Sequence, residues 1–199
     1  MTYKEAIKRL VDGNERYIAG MPRQGVTAEM RANLLKGQNP YAVVIGCSDS
    51  RVPVELIFDA MPGDLFVIRS AGNVVSPIGM ASVEFAVSSF KMPLVVVLGH
   101  QHCGAVNAAL KGGEFSPSVQ ELLKEVLESA NKVHGDSSHE SCEGIHSGDP
   151  NESYEDENIR HMMSKITANP YIAKSISENT VHVVAAKYSL ETGKVSFFD

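Results

Sequence analysis

Three short runs of continuous apolar residues constrain this chain more than any other feature: Tyr41-Ala-Val-Val-Ile-Gly46, Leu65-Phe-Val-Ile68 and Leu94-Val-Val-Val-Leu98. A strand with one solvated face alternates apolar and polar side chains, whereas a strand covered on both faces stays apolar throughout. The runs are rich in β-branched residues and read as strands of a parallel sheet, which then needs helices on both sides. Residues 4–18 place Ile7, Leu10, Val11, Tyr17 and Ile18 at helical spacing, and a shorter helix is expected over Thr27–Lys36, where Met30, Leu34 and Leu35 share a face and Gly37 ends it. Ser76-Pro77 opens a helix carrying Val83, Ala86, Val87 and Phe90. Ser116-Pro117 opens a longer one, with Val119, Leu122, Leu123, Val126, Leu127, Ala130 and Val133 in register up to Gly135. Residues 154–166 return to helical spacing through Ile159, Met162, Met163 and Ile166, and the last two apolar runs, from Val181 and from Lys194, flank Thr192-Gly193 as a hairpin. The expected fold is α/β: one domain over residues 1–199, a mostly parallel central sheet flanked by helices, with an N-terminal helical arm and a C-terminal antiparallel hairpin.

Residues 136–153, DSSHESCEGIHSGDPNES, are almost free of apolar side chains and read as a flexible surface loop. His134, His139, Cys142 and His146 fall in or beside it, but a Gly/Ser-rich loop lacks the rigid outer shell that a metal site needs. The chain carries 18 basic and 24 acidic side chains, a formal charge of −6 with no basic block, which makes nucleic acid and anionic membranes poor partners. No stretch approaches the roughly 20 apolar residues of a membrane helix, and the charged N-terminus offers no secretion signal, so a cytoplasmic protein is expected. Three cysteines in 199 residues suggest metal ligation or catalysis more than a disulfide framework.

Two of the three strands run into metal-ligand residues. The first ends in Cys47-Ser-Asp-Ser-Arg51 and the third in His100-Gln-His-Cys103. In an open parallel sheet the carboxyl ends of the strands form the ligand crevice. Cys47, His100 and Cys103 make a Cys₂His set, which leaves a tetrahedral zinc one position for water or substrate. Gly46 and Gly99 precede the ligands and are expected to let the chain turn sharply there. His102 adjoins Cys103 and is expected to point away, whereas His100, three residues from Cys103, can converge with it. Each cysteine taken singly also fits an ordinary buried thiol. Asp49 is a hard oxygen donor, and Arg51 can hold its carboxylate in a bidentate fork. Asp49 held off the metal leaves the site open; Asp49 released can ligate the metal and close it.

Cys47-Ser-Asp-Ser-Arg-Val-Pro53, Gly63-Asp-Leu-Phe-Val-Ile-Arg69 with Ala71-Gly-Asn73, and Gly99-His-Gln-His-Cys-Gly104 together resemble the successive signatures of the beta-class carbonic anhydrases, and the similarity spans nearly the whole chain. The resemblance implies reversible hydration of carbon dioxide to bicarbonate and a proton through zinc-bound hydroxide. It assigns zinc to Cys47, His100 and Cys103 and the assisting pair to Asp49 and Arg51. It also implies a carbon dioxide pocket lined by Gln38, Phe66 and Phe85, partly supplied across a dimer interface, and hence a homodimer or higher even oligomer. The Gly104 amide is a candidate donor to the oxygen where charge develops. Phe85 stands where plant-type members carry tyrosine. Val44 stands where members that store inhibitory bicarbonate carry tryptophan, so the chain is more similar to the plant-type, non-allosteric subtype. Two other readings remain open on sequence: a hydrolase of carbon disulfide or carbonyl sulfide on the same scaffold, and a structural zinc protein.

Overall fold

The computed structural model describes residues 1–23, 25–135 and 152–198. Its elements run α1 (Tyr3–Ile18), α2 (Ala28–Leu34), β1 (Ala42–Cys47), α3 (Val54–Ile57), β2 (Leu65–Ser70), α4 (Pro77–Phe90), β3 (Leu94–His100), α5 (Gly104–Lys111), α6 (Pro117–Gly135), α7 (Glu152–Ala168), α8 (Pro170–Ser177), β4 (His182–Tyr188) and β5 (Val195–Phe198). The sheet order is β2-β1-β3-β4-β5. β1 through β4 are parallel and β5 returns antiparallel to β4, as the unbroken apolar runs and the closing hairpin predict.

Side chains on a strand alternate between the two faces, so each apolar run feeds two cores. Val43, Ile45, Cys47, Val95 and Val97 pack with Val83, Val106, Leu123 and Ile159 on one side. Ala42, Val44, Leu94, Val96 and Leu98 pack with Leu10, Val54, Ile57 and Phe58 on the other. The N-terminal helix covers this second face, with Ala6 and Leu10 fully buried. Buried Asn14 fastens it: Nδ2 donates to the carbonyls of Ile57 at 3.1 Å and Gly193 at 2.9 Å, and Oδ1 accepts from the Val195 amide at 2.9 Å.

The helix ends follow their capping residues. Thr2 and Glu5 form a reciprocal capping box on α1, and the Ser76 hydroxyl accepts from the Gly79 amide ahead of Pro77. Asn169-Pro170 starts α8 in the same manner, a signal present in the sequence but passed over. α3 and α5 are too short to show a periodic stripe. α2 is shorter than the expected Thr27–Lys36 and buries none of its residues; Leu35 is 90% exposed. Helix α7 begins at Glu152, two residues inside the expected 136–153 loop, and residues 136–151 lie outside the described residues. His139, Cys142 and His146 therefore lie outside them as well. Among the described residues no helix is long and apolar enough to cross a membrane.

Candidate metal centre

The parallel register sets the ends of β1 and β3 side by side, with Gly46 opposite Leu98. Cys47 closes β1 and His100 closes β3; the chain then turns through Gln101 and His102 and delivers Cys103 at the start of α5. The turn is made at His102, in the left-handed region at φ 54°, and not at the glycines. Gly46 and Gly99 stay within their strands and serve another purpose. A Cβ at Gly46 would lie 3.0 Å from Val54 Cγ2, and one at Gly99 would lie 2.4 Å from Ile159 Cδ1 and Cγ1. Both are glycine because a neighbouring helix presses on the strand beside a ligand.

Ligand atoms of Cys47, His100 and Cys103 all lie within 4.8 Å of one another, and all three residues are buried. The two sulfurs are 4.0 Å apart. Two thiolates about 2.3 Å from a tetrahedral zinc would be about 3.8 Å apart, so the cysteines stand close to the separation such an ion requires. His100 Nδ1 donates to the Gln101 carbonyl at 2.8 Å, which leaves Nε2 with the lone pair that a ligand needs. That buried nitrogen has no hydrogen-bond partner among the described residues. The donor set fits a thiophilic divalent ion.

The electrostatics favour one ionised sulfur in the group. The hydrogen bond from Cys103 draws the Cys47 thiol down to about 4 against its burial, while Cys103 is pushed up by sharing its proton with Cys47 and by burial. One thiolate is thus stabilised by the fold, aided by the amides of Gly72 at 3.3 Å and Asp49 at 3.4 Å from Cys47 Sγ. Burial opposes protonation of His100, but the adjacent Cys47 sulfur outweighs it and the imidazole pKa is raised.

Asp49 lies outside the three-residue group. Arg51 holds it: Nε donates to Oδ1 at 2.9 Å, Nη2 to Oδ2 at 2.7 Å, and the Arg51 amide to Oδ1 at 2.9 Å. This fork holds the Asp49 carboxyl well below the usual carboxylate range. Oδ2 remains 4.0 Å from His100 Nε2, at the edge of the centre. Arg51 also donates to the His102 carbonyl at 3.1 Å, while the His102 residue itself is exposed.

The remaining expected residues divide in two. Gly104 opens α5 next to Cys103, with open space where a side chain would project. Gln38 is exposed and precedes the amino end of β1, a strand whose five steps separate its ends by about 17 Å. Phe66 and Phe85 meet at a ring-centroid distance of 6.5 Å, and Phe90 joins them at 6.1 and 6.0 Å. This aromatic group sits where α4 covers the edge strand β2, with Phe85 56% exposed. Within one chain, Gln38 is thus kept apart from the three ligands.

Contacts that sequence reasoning did not single out complete the surroundings. Arg69 on β2 donates to the Cys47 carbonyl at 2.9 and 2.7 Å and to the Asp49 carbonyl at 2.8 Å, bracing the loop between them. Glu155, on α7, accepts from the Cys103 amide at 3.1 Å. Its only trace in the sequence is a carboxylate placed beside a buried apolar stripe.

The carbonic anhydrase family model matches residues 42–195. "Carbonic anhydrase 2" of Mycobacterium tuberculosis is 36% identical to this chain, covering 98% of it and 92% of that protein. The carbonic anhydrase of Mycolicibacterium smegmatis is 39% identical over 96% of this chain and 90% of its own. Among solved structures, the beta-carbonic anhydrase CcaA superposes with a TM-score of 0.76 at 29% identity, covering 98% of this chain and 88% of that one. A tetrameric beta-carbonic anhydrase of Sordaria macrospora superposes at 0.74 with 24% identity, covering 98% and 95%, and shares the fold. With the match extending over nearly all of the chain and its motifs converging at the ends of β1 and β3, the chain belongs to the beta-carbonic anhydrase family.

Proposed function

We propose that this chain catalyses the reversible hydration of carbon dioxide to bicarbonate and a proton, as a zinc enzyme. The observation that carries the reading is the buried Cys47–His100–Cys103 group, with Asp49 held outside it by Arg51. A purely structural zinc site is closed by a fourth protein ligand, and the group has three members among the described residues. Cys47, His100 and Cys103 would hold the ion, which when bound supplies the Lewis acidity that ionises water near neutral pH, an effect for which carbonic anhydrases are the standard example.

The chain's own groups do the rest. Asp49 stays ionised at any working pH, so it serves as an acceptor and not as a proton donor. Its Oδ2, engaged on one side by Arg51, has acceptor capacity left to orient the O–H of the attacking water. The Gly104 amide, in the first turn of α5, is free of the intrahelical bonding of later turns and is suited to receive the developing oxyanion.

Gln38, Phe66 and Phe85 are read as pocket residues that reach the centre from a second copy. Two observations support this: Gln38 precedes the far end of β1, and the aromatic group is partly exposed at the β2 edge. A homodimer or a higher even oligomer follows from that reading. We take residues 1–199 as one catalytic domain, since Asn14 ties the first helix to the closing hairpin.

The test is the stopped-flow rate of carbon dioxide hydration against pH, on protein of known zinc content. Turnover that scales with zinc and grows above neutrality is expected. No rate above background in zinc-loaded protein at alkaline pH would remove the assignment.

A further inference from the structure

Helix α7 reaches both halves of the metal centre without supplying a ligand. Glu155 is 4% exposed, and its Oε1 accepts from the Cys103 amide at 3.1 Å. Three residues on, Asn158 is 1% exposed and donates Nδ2 to the Gly72 carbonyl at 2.9 Å. The Gly72 amide in turn donates to Cys47 Sγ at 3.3 Å. A three-residue step puts both side chains on one face of the helix, so a single rigid element governs the backbone beside each cysteine. Ile159, next along α7, seats against Gly99, the residue before His100.

A buried carboxylate is unfavourable unless its charge is balanced by a partner. Lys187 on β4 supplies the balance. Its Nζ lies 3.2 Å from Glu155 Oε2 and 2.9 Å from Asp156 Oδ1, with the lysine side chain 11% exposed. Burial lowers its pKa, but Asp156 and Glu155 outweigh that and hold it above the ordinary value. Glu155 is thus paired through Oε2 while Oε1 accepts from the Cys103 amide.

We propose that Glu155 and Asn158 are positioning residues of the metal centre, each acting through the backbone beside one cysteine ligand, with Lys187 as the countercharge that makes Glu155 tolerable there. The inference rests on the zinc reading above. Groups outside the ligand set that fix ligand direction typically change metal affinity by about 10–100-fold when removed.

The test measures zinc affinity of the full chain by competition with a chromophoric chelator, alongside turnover per bound zinc and the melting of metal-free protein. Glu155→Ala is expected to weaken zinc binding about tenfold or more. Lys187→Met, which strands the buried Glu155 charge together with that of the more exposed Asp156, should weaken it as well. Glu155→Gln combined with Lys187→Met keeps an acceptor for the Cys103 amide and removes the buried charge pair, leaving Asp156, whose side chain is 30% exposed, to be solvated; it should bind zinc within about threefold of wild type. Wild-type affinity in folded Glu155→Ala overturns the proposal, and so does a double variant as weak as Lys187→Met alone. If Glu155→Ala does not fold, the comparison of Lys187→Met with the double variant decides. A wild-type chain that binds no zinc refutes the metal-centre reading itself, a result distinct from zinc binding that ignores Glu155.

Discussion

Arg51 grips Asp49 at two points, Nε to Oδ1 at 2.9 Å and Nη2 to Oδ2 at 2.7 Å, and the same guanidinium reaches the His102 carbonyl at 3.1 Å. The fork keeps a hard anionic ligand poised beside a metal centre but turned away from it. Lysine cannot reproduce a planar two-point contact. Arg51→Lys and Arg51→Ala should therefore let Asp49 swing onto the metal, cutting turnover by about tenfold or more while zinc content stays near one per chain. Cobalt-substituted protein gives the check, since carboxylate ligation alters its visible absorption; an unchanged spectrum with a normal rate would show that the fork is dispensable.

Asp49→Ala separates the carboxylate from the ligands. Turnover should fall while zinc binding stays close to wild type, because Asp49 stands outside the three-residue group. Loss of zinc on this substitution, measured by metal analysis, would make Asp49 a ligand and the centre a closed one.

Removal of zinc by a chelator should silence the enzyme and leave its far-UV circular dichroism intact. Cys47 and Cys103 belong to one of the two cores, but every other member of both is a side chain that offers no ligand to the centre. The melting temperature should drop on removal, because an ion bound only by the native state stabilises it. Collapse of the helical signal at room temperature would instead mark a structural metal.

Asp59 links acid stability to the N-terminal helix. Its side chain is 6% exposed, Arg16 Nε donates to Oδ2 at 2.6 Å and the Arg23 amide to Oδ1 at 2.9 Å. Burial favours the neutral acid, the two arginines outweigh it, and the net pKa lies below the ordinary 3.8. A depressed carboxyl contributes stability in full above its unfolded pKa and loses it as the pH falls through the folded one. Asp59→Asn preserves the left-handed backbone, at φ 43°, and should cost about 1–2 kcal/mol at neutral pH. The gap should narrow as the pH falls below about 4. Chemical denaturation at pH 7 and pH 3 measures both; equal differences at the two values would detach the ion pairs from stability.

Gln38 offers a test of the second copy. If it acts across an interface, Gln38→Ala and Asp49→Ala chains, each impaired alone, should complement when unfolded together and refolded. Random pairing restores one complete site in each mixed dimer, so roughly a quarter of wild-type activity should return. Additive, uncomplemented rates would mean that Gln38 serves its own chain or none.

Much of the fold was legible because burial on both faces leaves an unmistakable trace in β1 and β3; β2 reads the same in sequence but lies at the sheet edge and is only half-buried, because one flank has no neighbouring strand. β1, β2 and β3 are the three apolar runs, and α4 and α6 begin at the prolines of the two Ser-Pro pairs. Elements too short for a periodic stripe, α3 and α5, left no such trace. The face of Met30, Leu34 and Leu35 shows the converse error: apolar spacing in α2 is present, yet no core lies under it. Gly46 and Gly99 were legible as special positions but not for the right reason, since close approach of Val54 and Ile159 is a property of packing between distant segments.

The ligand types and the Asp49–Arg51 pair follow from the sequence alone, because strand ends are visible in the apolar pattern and thiolate, imidazole and carboxylate chemistry belongs to the side chains themselves. The convergence of Cys47 with His100 and Cys103, and the separation of Asp49 from them, were decided by the parallel register of β1 and β3 and by the turn at His102. The bracing of that centre by Glu155 and Asn158 was decided there too, since both come from a helix that begins 49 residues after Cys103 in the chain. Local sequence sets what each residue can do; only packing brings together groups whose spacing along the chain carries no information about their distance in space.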